Sequence, residues 1–74
     1  MLTVPIMYRH FKGGYYLLVC HATDEATGEV LVIYKSMKDG KVWSRPYRVF
    51  WEDVPKDKEN PTGQKTRFEI VDFD

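Results

Sequence analysis

The sequence predicts an all-β domain: a small five-stranded SH3-like half-open barrel with one short helical or 3₁₀ turn. Three observations carry this reading. Runs of strand length, rich in apolar and β-branched residues, recur along the chain. Glycine-containing turn signals separate them, the sharpest being Asp39-Gly40. Trp43-Ser44-Arg45-Pro46 then closes a strand at a proline and turns a corner. Seventy-four residues make a single domain, 1–74, with a thin core. A half-open barrel is the simplest closure, because it hides most strand edges.

Residues 2–11 read as a first strand interrupted by Pro5, which suits an edge or a bend. Alternation sets Ile6, Tyr8 and His10 on one face and Met7, Arg9 and Phe11 on the other. Lys12-Gly13-Gly14 is a turn. Residues 15–23 are a second strand, apolar enough for the middle of a sheet. The connection 24–28 ends in Gly and reads as a hairpin loop. Residues 29–37 form a third strand and 42–45 a fourth, paired through Asp39-Gly40. Pro46 stops the fourth, and the run 47–54 admits either one helical or 3₁₀ turn or a short strand. The polar run 55–63 reads as a mobile loop, and the alternation of 65–73 as a closing strand.

Eleven basic and eleven acidic residues cancel to a formal net charge of zero. That argues against a general nucleic-acid binder, whose affinity comes largely from neutralising phosphates. The balance is uneven along the chain: residues 1–50 hold seven Lys or Arg against four Asp or Glu, and 51–74 the reverse. One cysteine excludes a disulfide within the chain. Two histidines and one cysteine fall short of the usual zinc site, so neither metal nor cofactor is expected. No apolar run reaches the roughly 20 residues of a membrane span. Residues 1–5 lack the form of a signal peptide, and a reducing cytoplasm is the expected compartment.

Four stretches stand in a telling order: Tyr8-Arg9-His10-Phe11-Lys12-Gly13, then Thr27-Gly28-Glu29-Val30-Leu31-Val32-Ile33-Tyr34, then Trp43-Ser44-Arg45-Pro46 with Phe50, then Arg67-Phe68-Glu69. The chain thereby resembles a small family from bacteria and their phages, domain of unknown function 1653. Its pattern runs YRH-x-KG, TGEELVVYR, LWVRPLEMF and a terminal PRF. The likeness covers about residues 8–70 and implies a small β-barrel-like fold, with no particular activity. The chain departs from the pattern at Lys35, where the family usually has Arg, and at Tyr47-Arg48-Val49-Phe50, which replaces Leu-Glu-Met-Phe. The loop 53–63 is also long.

If the first and last strands pair, Arg9 or His10 can face the corner that holds Trp43 and Arg45. Two guanidiniums, an imidazole and aromatic rings would then meet, a set suited to a planar anion. The expected ligand site is Arg9, His10, Trp43 and Arg45, with Lys12 and Tyr34 at its edge. The competing reading has Arg9 and Arg45 tied to Glu29, Glu52 or Glu69 as structural pairs. Cys20 sits in an apolar strand and is expected to be buried and inert. His21 and His10 lie on different strands, and no hydrolytic triad order appears. Both tryptophans cannot hide fully in so small a domain, so one should line a groove or an interface.

The expected function is a non-enzymatic binding module for a small anionic ligand or a partner protein. One alternative is self-association or docking through Phe50 and Trp51. It includes a phage protein that captures a host nucleotide in a composite pocket. A weaker one is single-stranded nucleic-acid binding by aromatics with Lys and Arg. SH3-like barrels bind proline-rich peptides in aromatic grooves, a link that rests on fold alone.

Overall fold

A computed structural model describes residues 5–71. Five strands form one antiparallel sheet: β1 Met7–His10, β2 Tyr15–Thr23, β3 Val30–Ser36, β4 Val42–Pro46 and β5 Phe68–Ile70. A single helical turn, α1 Tyr47–Phe50, follows β4. The strand order is β4-β3-β2-β1-β5, so the last strand pairs with the first, and β4 and β5 are the two edges of the sheet. This is the all-β, half-open barrel that the patterning predicts. No helix among the described residues is long and apolar enough to cross a membrane.

The hairpins follow from local chemistry. Gly40 takes φ +75°, and its N–H closes the turn on the Ser36 carbonyl at 2.9 Å. Asp39 adds a side-chain bond to the Lys41 N–H at 3.0 Å. Gly13, at φ +106°, lets β1 fold straight back into β2, with His10 and Gly14 bonded at 2.7 Å.

β2 carries a bulge. Leu18 pairs with Tyr34 but Cys20 pairs with Ile33, so Val19 is an extra residue. A bulge bends its strand and increases twist, which helps this sheet curl. It also inverts the alternation. Tyr16 and Leu18 face inward before it; Cys20 pairs with Ile33 on the convex side after it. Cys20 is therefore exposed, against the expectation of a buried thiol. A pattern read at strict period two could not register the inserted residue.

The concave face holds the core: Tyr8, Val32, Tyr34, Phe50 and Phe68, with Tyr16, Leu18 and Trp51 packed against it. Fully burying side chains of this size contributes about 1.5–3 kcal/mol each. Pro46 sets up α1 with φ −54° and ψ 138°, and α1 swings Phe50 beneath the sheet. Phe50 and Phe68 stack with centroids 4.1 Å apart and planes at 4°. Phe50 is wholly buried, so it has no share in a surface interface, contrary to its expected place there. Trp51 is half-buried, edge-on to Phe50 at 5.0 Å and to Tyr8 at 5.6 Å.

The polar run after α1 is tied down rather than loose. Val54 bonds to Lys65 at 2.9 Å and Arg67 to Glu52 at 3.0 Å across an isolated Asp53–Thr66 bridge. Gln64, only 5% exposed, locks the loop to β1. Its Nε2 donates to the carbonyls of Arg9 (3.0 Å) and Thr66 (3.2 Å), and its Oε1 accepts from Arg9 Nε at 3.0 Å.

Candidate functional site

A cleft of about 200 Å³ opens on the concave face, lined by His10, Tyr16, Tyr34, Trp43, Arg45 and Phe68. Every strand of the sheet contributes to it. Pairing explains the convergence. Trp43 lies opposite Tyr34, Arg45 opposite Val32, and His10 opposite Phe68. Residues two apart share a face, so Trp43 and Arg45 both point inward from β4. The expected neighbourhood of the opening basic–aromatic segment and the indole–guanidinium corner is realised through His10.

The aromatic wall is continuous. Tyr34 meets Tyr16 at 5.4 Å and Phe68 at 5.3 Å, and His10 meets Phe68 at 4.9 Å, all edge-on. Trp43 stands at the rim with 49% of its surface exposed, which leaves its indole able to stack on something else. It is thus the tryptophan that lines a groove.

The polar groups are specific. Arg45 Nε donates to the Tyr34 hydroxyl at 3.4 Å, a long bond that still orients both groups. Of the four arginines, three hold carboxylates: Arg9 with Glu69, Arg48 with Glu29, and Arg67 with Glu52. Arg45 holds none among the described residues. His10 Nδ1 accepts the Lys12 N–H at 3.1 Å, which puts the proton of a neutral ring on Nε2. Burial first, then the positive charges of Arg45, Lys12 and Arg67, hold His10 down at about 4. The imidazole is a neutral donor near pH 7. Burial and the nearby Tyr34 and Asp39 raise Tyr16, with Arg45 opposing, so Tyr16 stays a phenol.

The sign of the His10 shift makes a prediction. The folded ring protonates at about 4 and an unperturbed one near 6.5, so the unfolded chain binds more protons between those values. The stability this ring provides is whole above about pH 6.5, declines as the pH falls towards 4, and then levels off. Arg45, Lys12 and Arg67 act on the ring through their positive charge, and Tyr16 and Phe68 meet it edge-on. Urea midpoints between pH 7 and 4.5 should fall more for the natural chain than for His10→Phe. Equal falls would place the ring's titration elsewhere.

Of the residues expected in the site, His10, Tyr34, Trp43 and Arg45 meet in this cleft. Arg9 does not: it alternates to the other face, where Glu69 and Gln64 occupy its guanidinium. Lys12 lies beyond the rim and lines a separate cleft of about 440 Å³ with Lys58, Glu59 and Pro61. Tyr16 and Phe68 belong to the lining and were not expected there. The tight Lys12-Gly13-Gly14 turn is the signal for Tyr16, since it sets that residue opposite Tyr8 on the face His10 shares, whereas Phe68 is placed by the pairing of β5 on β1. No group of three or more metal-binding side chains occurs among the described residues.

No curated protein and no solved structure matches the chain at a significant level. A family model does, over residues 6–70, which takes in every strand and the whole lining of the cleft. The chain belongs to that family, DUF1653, described as a protein of unknown function.

Proposed function

We propose that this domain is a non-enzymatic binding module that holds a small anionic ligand in the concave cleft. The Arg45 guanidinium supplies the charge, the His10 Nε2–H and Tyr34 hydroxyl supply further hydrogen bonds, and Trp43 offers a face for stacking. One observation carries this reading. Arg45 is the arginine left without a carboxylate among the described residues, and it sits where all five strands converge. A non-enzymatic role is supported by the weak basicity of His10, which at about 4 makes a poor general base near neutrality. The exposed free thiol of Cys20 supports a reducing compartment such as the cytoplasm.

The test is a titration of carboxylates, nucleotides and phosphorylated metabolites against Trp51→Phe protein, so that Trp43 alone reports. Binding should quench or shift its emission. Arg45→Ala should weaken it about 10- to 100-fold, the loss expected for a charged hydrogen bond of about 1.5–3 kcal/mol. The fold should survive, because the recorded bond of the Arg45 side chain is the long one to Tyr34. A panel in which no anion responds would overturn the proposal.

A further inference from the structure

We infer that the anion is a single carboxylate carried on one flat aromatic ring system, and not a phosphate; this rests on the anion-binding reading above. The first argument is charge. The cleft's lining holds one fixed cation, Arg45, beside a neutral imidazole and two phenols. The charges of Lys12 and Arg67 also reach His10, but Arg67 is held by Glu52, Arg9 by Glu69, and Lys12 lines the neighbouring cleft. A phosphate monoester brings about −1.5 to −2 charges at pH 7 and three strong acceptor oxygens. A carboxylate brings one charge and two oxygens, which one guanidinium neutralises.

The second argument is shape. Arg45 Nε is turned to the Tyr34 hydroxyl, so the two Nη groups remain as a planar fork. Two parallel N–H bonds from such a fork match a carboxylate's two oxygens. The His10 Nε2–H, fixed by the Nδ1 bond to Lys12, is a further donor on the same wall. The third argument is size. About 200 Å³ is less than the roughly 300–1,000 Å³ of sites that take drug-sized molecules, so one ring system and its acid fill it. The walls are Tyr16, Tyr34, Phe68 and the half-exposed Trp43, which favour a flat partner. An aromatic cage of this kind could suit an organic cation, but Arg45 in the lining repels one and no carboxylate lines the cleft.

A matched set of probes tests this: indole-3-carboxylate, indole-3-carboxamide and indoxyl phosphate, each titrated into the full chain. Two-dimensional NMR of the Trp43 indole N–H and the Arg45 side chain reports the site. The carboxylate should bind at least tenfold more tightly than either other probe, and both signals should shift. Arg45→Lys, which keeps the charge but loses the fork, should lose most of that preference while the spectrum stays dispersed. Tighter binding of indoxyl phosphate would overturn the carboxylate assignment and leave anion binding standing. Equal binding of the carboxamide, or shifts confined to residues outside the cleft, would overturn both. Binding of none of the three would overturn the aryl-carboxylate assignment, and anion binding would then be judged on the wider panel.

Discussion

Phe50→Ala is expected to remove most of the domain's stability at room temperature. The ring is wholly buried and touches the core from three directions: stacked on Phe68, and edge-on to Tyr8 at 4.8 Å and Tyr34 at 5.3 Å. Removing a buried Phe costs about 3–5 kcal/mol, through lost transfer energy and the cavity left behind. Small single domains have about 5–15 kcal/mol in total, and one this size sits towards the low end. The cavity could not be refilled cheaply, since α1 is one turn long and is carried by Phe50 itself. Urea unfolding followed by far-ultraviolet circular dichroism is the measurement. The control is Trp43→Ala at the exposed rim, whose midpoint should move little. If Phe50→Ala shifted the midpoint no more than that control, Phe50 would not be the centre of the core.

The same residue shows how far the chain could be read in advance. The motif Trp43-Ser44-Arg45-Pro46 with Phe50 was visible, and so was the alternative of a helical turn after Pro46. What alternation cannot show is where a residue points once the chain leaves the sheet. Sequence pattern alone leaves Phe50 at a surface, while the turn of α1 carries it inward. The hairpins were legible because Gly13 and Gly40 must take positive φ, and the observed bounds of β2 match the reading. His10 could not be told from Arg9 as the cleft member. Neither face of the first strand is purely apolar, and only the partner elements decide which face is covered. Cys20 escapes the pattern for a different reason: the bulge at Val19 adds one residue and flips everything after it.

Gln64→Leu is expected to destabilise the domain by about 3 kcal/mol, although Gln64 is not among the residues that line the cleft. Leucine keeps the bulk of the side chain and removes both of its polar ends. Three groups then lose a partner: Arg9 Nε, the Arg9 carbonyl and the Thr66 carbonyl. A buried polar group left unsatisfied costs about 1–3 kcal/mol, and partial access to water lowers the sum for three. The effect should spread to β5, because the loop that Gln64 anchors delivers Phe68 to its place opposite His10. Hydrogen exchange should therefore quicken at Phe11 and Val71, whose amides bond to Arg67 and Met7 across that seam. Arg9→Ala, made beside it, separates the two roles weighed for Arg9. If Arg9 is a structural partner of Gln64 and Glu69, the double mutant should lose less than the two single losses added together, and anion affinity in the folded protein should hold. Additive losses together with weakened anion binding in Arg9→Ala would return that residue to the site.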